Sequence, residues 1–287
     1  MPLASIPSPG HAAWHLGPLP IRAYALCVIA GIVVAIAVAS RRYRHSGGQA
    51  GFILDVAAWA VPFGLAGALA HAILLDNRHL FGDEYRLWHA VTAGIAAIGV
   101  PGAVALGALG AWIACRRAGA PLGPVAGAVA PALAFGLAVG GLGNWWTQQF
   151  YGPASTWWWA VRIAPTHRVP GYENYATFQP AFLYQSLWEV ALGFAVIWAA
   201  RRFALSGERT FMLCAAGYAA GGIWVETLRV GPLPHVLGVR YGALGDIAVF
   251  VLAAAGMYLT RPGRRPPARK PARRAVVEDS SGDVMSV

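Results

Sequence analysis

Charge is scarce in this sequence: of 287 residues only 12% are Asp, Glu, Lys or Arg, and Lys270 is the sole lysine. A soluble domain of this length needs more polar surface than that. With 57% hydrophobic residues and a mean hydropathy of +0.52, an ordinary cytosolic or secreted globule is excluded. Cysteine is sparse too. Cys27, Cys115 and Cys214 fall inside apolar runs without CxxC spacing, which excludes a disulfide framework and a paired redox or zinc site. Also missing are a P-loop, a dinucleotide fingerprint and a nucleophile elbow. No internal period of roughly 20 to 50 residues repeats, so a solenoid is excluded as well.

What is present is a series of long apolar runs. Seven approach or exceed the roughly 18 residues that mark a transmembrane helix: 21–40, 52–75, 91–115, 121–142, 180–200, 210–228 and 241–260. The expected fold is therefore all-α, a polytopic membrane protein with seven transmembrane helices. Arginine pairs follow alternate runs, at Arg41/Arg42, Arg116/Arg117, Arg201/Arg202 and Arg264/Arg265. Cytoplasmic loops carry the excess of positive charge, so this alternation predicts the N-terminus outside and the C-terminus cytoplasmic. Three segments follow: an extracytoplasmic N-terminal stretch 1–20, a seven-helix transmembrane domain 21–260, and an Arg/Pro-rich cytoplasmic tail 261–287 expected to be disordered. The first twenty residues hold five prolines and no basic n-region, and do not read as a cleaved signal peptide.

The net charge of +10 invites a nucleic-acid reading, but seven of the 22 basic residues crowd between Arg261 and Arg274. A basic tail beside the last membrane run suits anionic lipid headgroups instead. Nucleic acid is not an expected partner. The tryptophans at 14, 145, 146 and 157–159 read mainly as the interfacial aromatic belt.

Polar groups within membrane runs are costly and mark candidate function. Glu189 lies toward the middle of the fifth run, with Gln185 and Ser186 one turn before it. Glu226 and Arg229, three positions apart at the end of the sixth, share a helix face and can pair. Asp55, Asp246 and Arg22 sit near run ends, where interfacial water makes them cheap. His71, His79, His89, His167 and His235 are read as solvated or hydrogen-bonded histidines. Gly140, Gly141 and Gly143 cluster at the outer end of the fourth run, directly before Asn144. They allow either tight helix packing or the approach of a lipid headgroup.

The stretch Gly140-Gly-Leu-Gly-Asn-Trp-Trp-Thr-Gln-Gln-Phe-Tyr-Gly152 resembles the signature GR-x-GN-x-x-N-x-E-x-x-G of the bacterial prolipoprotein diacylglyceryl transferases. Three further pieces occur in the family's order. They are Pro18-Leu-Pro-Ile-Arg-Ala-Tyr24, Pro180-Ala-Phe-Leu-Tyr184-Gln-Ser-Leu-Trp-Glu189, and Trp224-Val-Glu226-Thr-Leu-Arg229 followed by Leu237-Gly-Val-Arg240. The resemblance implies a multi-pass enzyme of the bacterial plasma (inner) membrane. Such an enzyme moves the diacylglyceryl group of phosphatidylglycerol to the lipobox cysteine of prolipoprotein signal peptides, without metal or organic cofactor. It further implies Tyr24, Asn144 and Glu226 as catalytic groups, and Gly143, Gly152, Arg229 and Arg240 as lipid- or phosphate-binding ones.

The chain departs from the pattern where charge matters most. Gly141 stands at the signature arginine, Gln149 at its carboxylate and Thr147 at its second asparagine. Gly222 and Ala68 stand where relatives carry arginine, and Gln185 where glutamate is usual. Residues 100–102, Val-Pro-Gly, replace a third-run histidine. A weakened transferase is therefore expected, with a silenced paralogue that binds anionic lipid or lipoprotein precursors as the alternative. A small-solute transporter is more remote, because paired broken helices are missing.

Overall fold

The computed structural model describes residues 5–16, 19–75, 100–231, 235–236 and 239–260. It is mostly helical. After strands β1 (Ile6–Pro7), β2 (Ala13–Leu16) and β3 (Leu19–Arg22) come helices α1 (Ala23–His45), α2 (Phe52–Leu75), α3 (Val100–Arg117) and α4 (Leu122–Gly141). The short helix α5 (Asn144–Thr147), strands β4 (Val161–Arg162) and β5 (Thr177–Phe178), and helices α6 (Ala181–Arg202) and α7 (Gly207–Leu228) follow. Strands β6 (His235–Val236) and β7 (Val239–Arg240) lead into α8 (Tyr241–Leu259).

Six helices among the described residues, α1, α2, α4, α6, α7 and α8, are long and apolar enough to cross a membrane. Helix α3 is not among them. Its 18 residues include Arg116 and Arg117, and the first part of the expected third run, 91–99, lies outside the described residues, as does the tail 261–287. Side chains facing outward along these helices are apolar, among them Ile29, Val33, Leu65, Phe194 and Leu252. Within the helices the backbone satisfies its own hydrogen bonds, as hydrocarbon requires, except at Pro62 and Pro131, which lack an N–H; before Pro131 the Gly127 carbonyl accepts from Arg42 instead (3.4 Å).

Helix α4 is the hub, packing on α1, α6 and α7. Small residues let it do so. A Cβ added at Gly136 would lie 2.7 Å from the carbonyl of Gly31 on α1, and one at Gly31 would run into the Gly136 carbonyl. Near the other end of α4, a Cβ at Gly127 would lie 2.8 Å from the Cα of Gly207 on α7. The glycine-rich fourth run is thus a packing device over most of its length. Arginines collect at one end of the bundle: Arg42 and Arg44 in the last turn of α1, Arg116 and Arg117 in that of α3, Arg201 and Arg202 in that of α6. There they complement the helix C-termini.

At the opposite end sits a small cap of short strands and turns, which the apolar pattern does not announce. Its three strands are ordered β1-β4-β5, with Ile6 opposite Val161 in parallel and Val161 opposite Phe178 in antiparallel register. Tyr151, Val161, Ile163, Phe178 and Phe182 form its core. The buried Tyr151 hydroxyl donates to the His167 carbonyl (2.7 Å) and accepts from the Val169 N–H (3.0 Å). Burial pushes this phenol above its ordinary value of 10.0, opposed by the Val169 N–H and by Arg168. The stability it lends is full below that ordinary value and is lost as pH rises through the shifted one. Tyr151→Phe is expected to cost about 1–3 kcal/mol by orphaning both backbone groups, checked as a lower melting temperature of the detergent-solubilised protein.

The tryptophans divide between two roles. Trp14, Trp157 and Trp158 are exposed, as an interfacial belt requires. Trp145 packs against the cap core instead. Trp159 donates its indole N–H to the Tyr184 hydroxyl (2.9 Å), tying the cap to the first turn of α6.

Candidate functional site

The segment 140–152 leaves α4, turns through α5 and enters the cap, so that both ends of the signature are held by backbone contacts. At its start, the Asn144 side-chain amide donates to the Gly141 carbonyl (2.9 Å), closing the end of α4. One N–H and the carbonyl oxygen of this amide remain for a ligand. At position 143 a Cβ would lie 2.8 Å from the Tyr24 ring. Glycine there lets the first turn of α1 bring Tyr24 against Asn144's own turn.

Further along, Gln148 takes a left-handed backbone (φ 54°). Its side chain accepts from the Ala164 N–H (2.8 Å), which redirects the chain into the cap. Gly152 is a point of close approach: a Cβ there would lie 2.9 Å from the Leu228 carbonyl, and its N–H bonds the Gln179 carbonyl (2.8 Å). The Val230 N–H donates to the Tyr151 carbonyl (3.2 Å), so the signature is strapped to the end of α7.

That strap delivers the charged pair. Arg229 caps α7, lies 3.7 Å from Glu226 and stacks over the Phe150 ring at 4.6 Å. It is therefore held beside the signature rather than loose in solvent. Phe150 and Asn144 together line a narrow crevice with Ser8, Trp145 and Phe182. Arg240 occupies β7 opposite His235. The side chains of Arg240, His235 and His71 lie outside the described residues, as do His79 and His89 altogether.

Of the other arginines of the cap, Arg168 is committed elsewhere. Arg168 donates to the Ile163 carbonyl (3.1 Å) and the Glu173 carbonyl (2.7 Å), so it is spent on the cap's own backbone. Arg162 is exposed.

Two features escape a reading of one sequence. Asp246 is not an interfacial residue left to water. A Cβ at Gly222 would run into its carboxylate, while a Cβ at Gly242 would lie 3.3 Å from the Glu226 carboxyl carbon. Helices α7 and α8 thus cross with each carboxyl seated on the other helix's glycine. The spacing of four between Gly222 and Glu226, and between Gly242 and Asp246, puts each glycine on the face of its own helix's carboxyl but does not tell which helix that face meets. The second feature is Ser186 on α6, whose hydroxyl lies 2.9 Å from where a Cβ on Gly141 of the signature would stand.

The profile of the prolipoprotein diacylglyceryl transferases matches residues 11–259. The chain belongs to this family. A phosphatidylglycerol–prolipoprotein diacylglyceryl transferase of Streptomyces avermitilis is 42% identical over 291 residues, covering 99% of this chain and 81% of the relative. Proteins of the same name from Mycobacteroides abscessus and Corynebacterium efficiens are each 40% identical, covering 93% of this chain and 81% and 86% of their own lengths.

Membership sharpens the meaning of Gly222. The space an arginine side chain would enter is not vacant but holds Asp246. Gly222→Arg alone is therefore expected to pair with Asp246 and bring no gain in transfer. Gly222→Arg with Asp246→Asn is expected to exceed that single variant by at least about 10-fold, because the guanidinium is then free to meet developing phosphate charge. Initial rates on a reporter lipoprotein decide between them.

Proposed function

We propose that this chain carries out the transfer its family is named for, moving the diacylglyceryl group of phosphatidylglycerol to the lipobox cysteine of prolipoprotein signal peptides. Family membership and relatives at about 40% identity over most of the chain make it a transferase of lipoprotein maturation in a membrane. The single observation that carries the reading to a site is Arg229, held between Glu226 and Phe150 at the rim that also holds Asn144 and Tyr24.

The chemistry assigns work to each group. The cysteine thiolate attacks the glyceryl carbon bonded to the phosphate oxygen. A C–S bond forms, the C–O bond breaks, glycerol phosphate leaves with the electron pair, and the thiol proton is released to water. Arg229, with Arg240, neutralises the departing phosphate. The free N–H of Asn144 and the Tyr24 hydroxyl donate to glycerol or phosphate oxygens, Glu226 orients Arg229, and Gly143 and Gly152 keep room for that arrangement. A seventh span built from 91–115 and an N-terminus outside complete the reading. They put the cap and signature on the extracytoplasmic face of the bacterial inner membrane and the arginine-rich end in the cytoplasm. In this division 21–260 is the transferase domain, and the tail 261–287 rests on anionic headgroups.

Complementation tests the activity. In a bacterium depleted of its own transferase, the chain is expected to restore thioether-linked lipid on a reporter lipoprotein. A reporter left unlipidated at full expression favours the alternative, a silenced paralogue that binds lipid or precursor without transfer.

A further inference from the structure

Glu189 and Ser186 have no part in the chemistry above, yet they are among the most costly groups in the bundle. Both lie on α6 with only 4% of their surface exposed. Gln185 satisfies one Glu189 oxygen, donating from its amide at 2.9 Å. The other oxygen, Oε2, and the Ser186 hydroxyl have no hydrogen-bond partner. A buried, unsatisfied acceptor inside a membrane span is expensive and marks a place where something else is meant to bind.

Their surroundings belong to the transfer site. The two residues are three positions apart on a helix and share a face. The Ser186 hydroxyl lies 2.9 Å from where a Cβ on Gly141 of the signature would stand, so it abuts the signature at a position where a side chain would crowd it. The next glycine of the signature, Gly143, holds the Tyr24 ring 2.8 Å from where its own Cβ would stand, so Ser186 and Tyr24 abut the same turn. Cys214, also near Glu189, gives its thiol hydrogen to the Ala130 carbonyl (3.1 Å) and does not fill the vacant acceptor.

The vacant atoms define the chemistry of the guest. A carboxylate oxygen accepts and does not donate, and a hydroxyl does either. They suit a neutral group with adjacent O–H donors, and suit poorly a phosphate, whose oxygens would face a carboxylate. Resting on the proposed transfer from phosphatidylglycerol, we propose that Glu189 and Ser186 form the subsite for the vicinal hydroxyls of the donor lipid's glycerol headgroup. Arg229 then takes the phosphate and α6 reads the diol, which makes Glu189 a specificity-determining residue.

Phosphatidylethanol is the control, since it keeps the phosphodiester charge and the acyl chains and lacks the diol. Binding of the two lipids to the purified full-length protein is read by native mass spectrometry in detergent. Wild type is expected to prefer phosphatidylglycerol by at least about 10-fold, the strength of one hydrogen bond to a charged group. Glu189→Gln keeps the shape and the Gln185 contact but turns Oε2 into a donor, and is expected to bring the ratio within about 3-fold. Ser186→Ala is expected to lower it by a smaller factor. Equal binding of the two lipids by wild type, or a parallel loss of both in Glu189→Gln, overturns the proposal. The wild-type ratio stands even if a variant fails to fold. Transfer measured on the same preparations keeps the two readings apart. Discrimination without transfer removes the enzyme reading alone, and transfer without discrimination removes this one alone.

Discussion

Asn144→Ala is expected to lower transfer to a reporter lipoprotein by about 100 to 1,000 fold, the usual loss when one preorganised donor at a developing anion is removed. The side chain has two tasks in this structure. One N–H closes the end of α4 on the Gly141 carbonyl, and the other is left for the lipid. Asn144→Asp keeps the size but loses both donors and places a negative charge where phosphate must depart. It is expected to be at least as inactive as alanine. Rates from single-turnover assays at matched expression decide this, and an alanine variant within a few-fold of wild type removes Asn144 from the site.

The second large effect is structural. Gly31→Val places a branched side chain at the crossing of α1 and α4, where even one carbon meets the Gly136 carbonyl and lies 3.2 Å from the Gly140 nitrogen. Those neighbours are backbone and cannot swing away. Overpacking costs typically about 1–3 kcal/mol, and a contact that levers two helices apart belongs at or beyond the upper end. Because α1 carries Tyr24 and α4 ends in the signature, separating them also parts Tyr24 from Gly143. The expected result is a large drop in melting temperature together with loss of transfer. Val33→Ala, on the exposed lipid-facing side of the same helix, is expected to change neither.

Much of the architecture was legible in the residues. Apolar run length located six membrane helices to within a few residues, since hydrocarbon admits little else. The family was legible in the signature and in the order of Tyr24, Glu189, Glu226 and Arg229 around it. Contacts between distant segments were not. The double crossing of Gly222 with Asp246 and Gly242 with Glu226 depends on how α7 and α8 meet, which no periodicity within one helix specifies. The cap was hidden for a similar reason. Its strands are two residues long, and its stability comes from Tyr151 and Gln148 each reaching a backbone group 16 residues away and from Arg168 bridging two carbonyls five residues to either side. Arg168 could pass for a phosphate ligand in sequence. Only its two carbonyl partners show otherwise.

Two losses at Gly141 and Gly222 suggested an emptied site. Instead, the neighbouring helices supply Ser186 and Asp246 at those positions, while Arg229 is retained against the signature. This rebuilt rim is expected still to perform group transfer. Its most direct measurement follows purified protein in phosphatidylglycerol vesicles with a lipobox peptide, counting glycerol phosphate released against thioether-linked lipid formed. Equal amounts of the two are expected, both falling together in Asn144→Ala. Peptide that stays unmodified, with no glycerol phosphate released by well-folded protein, contradicts that expectation.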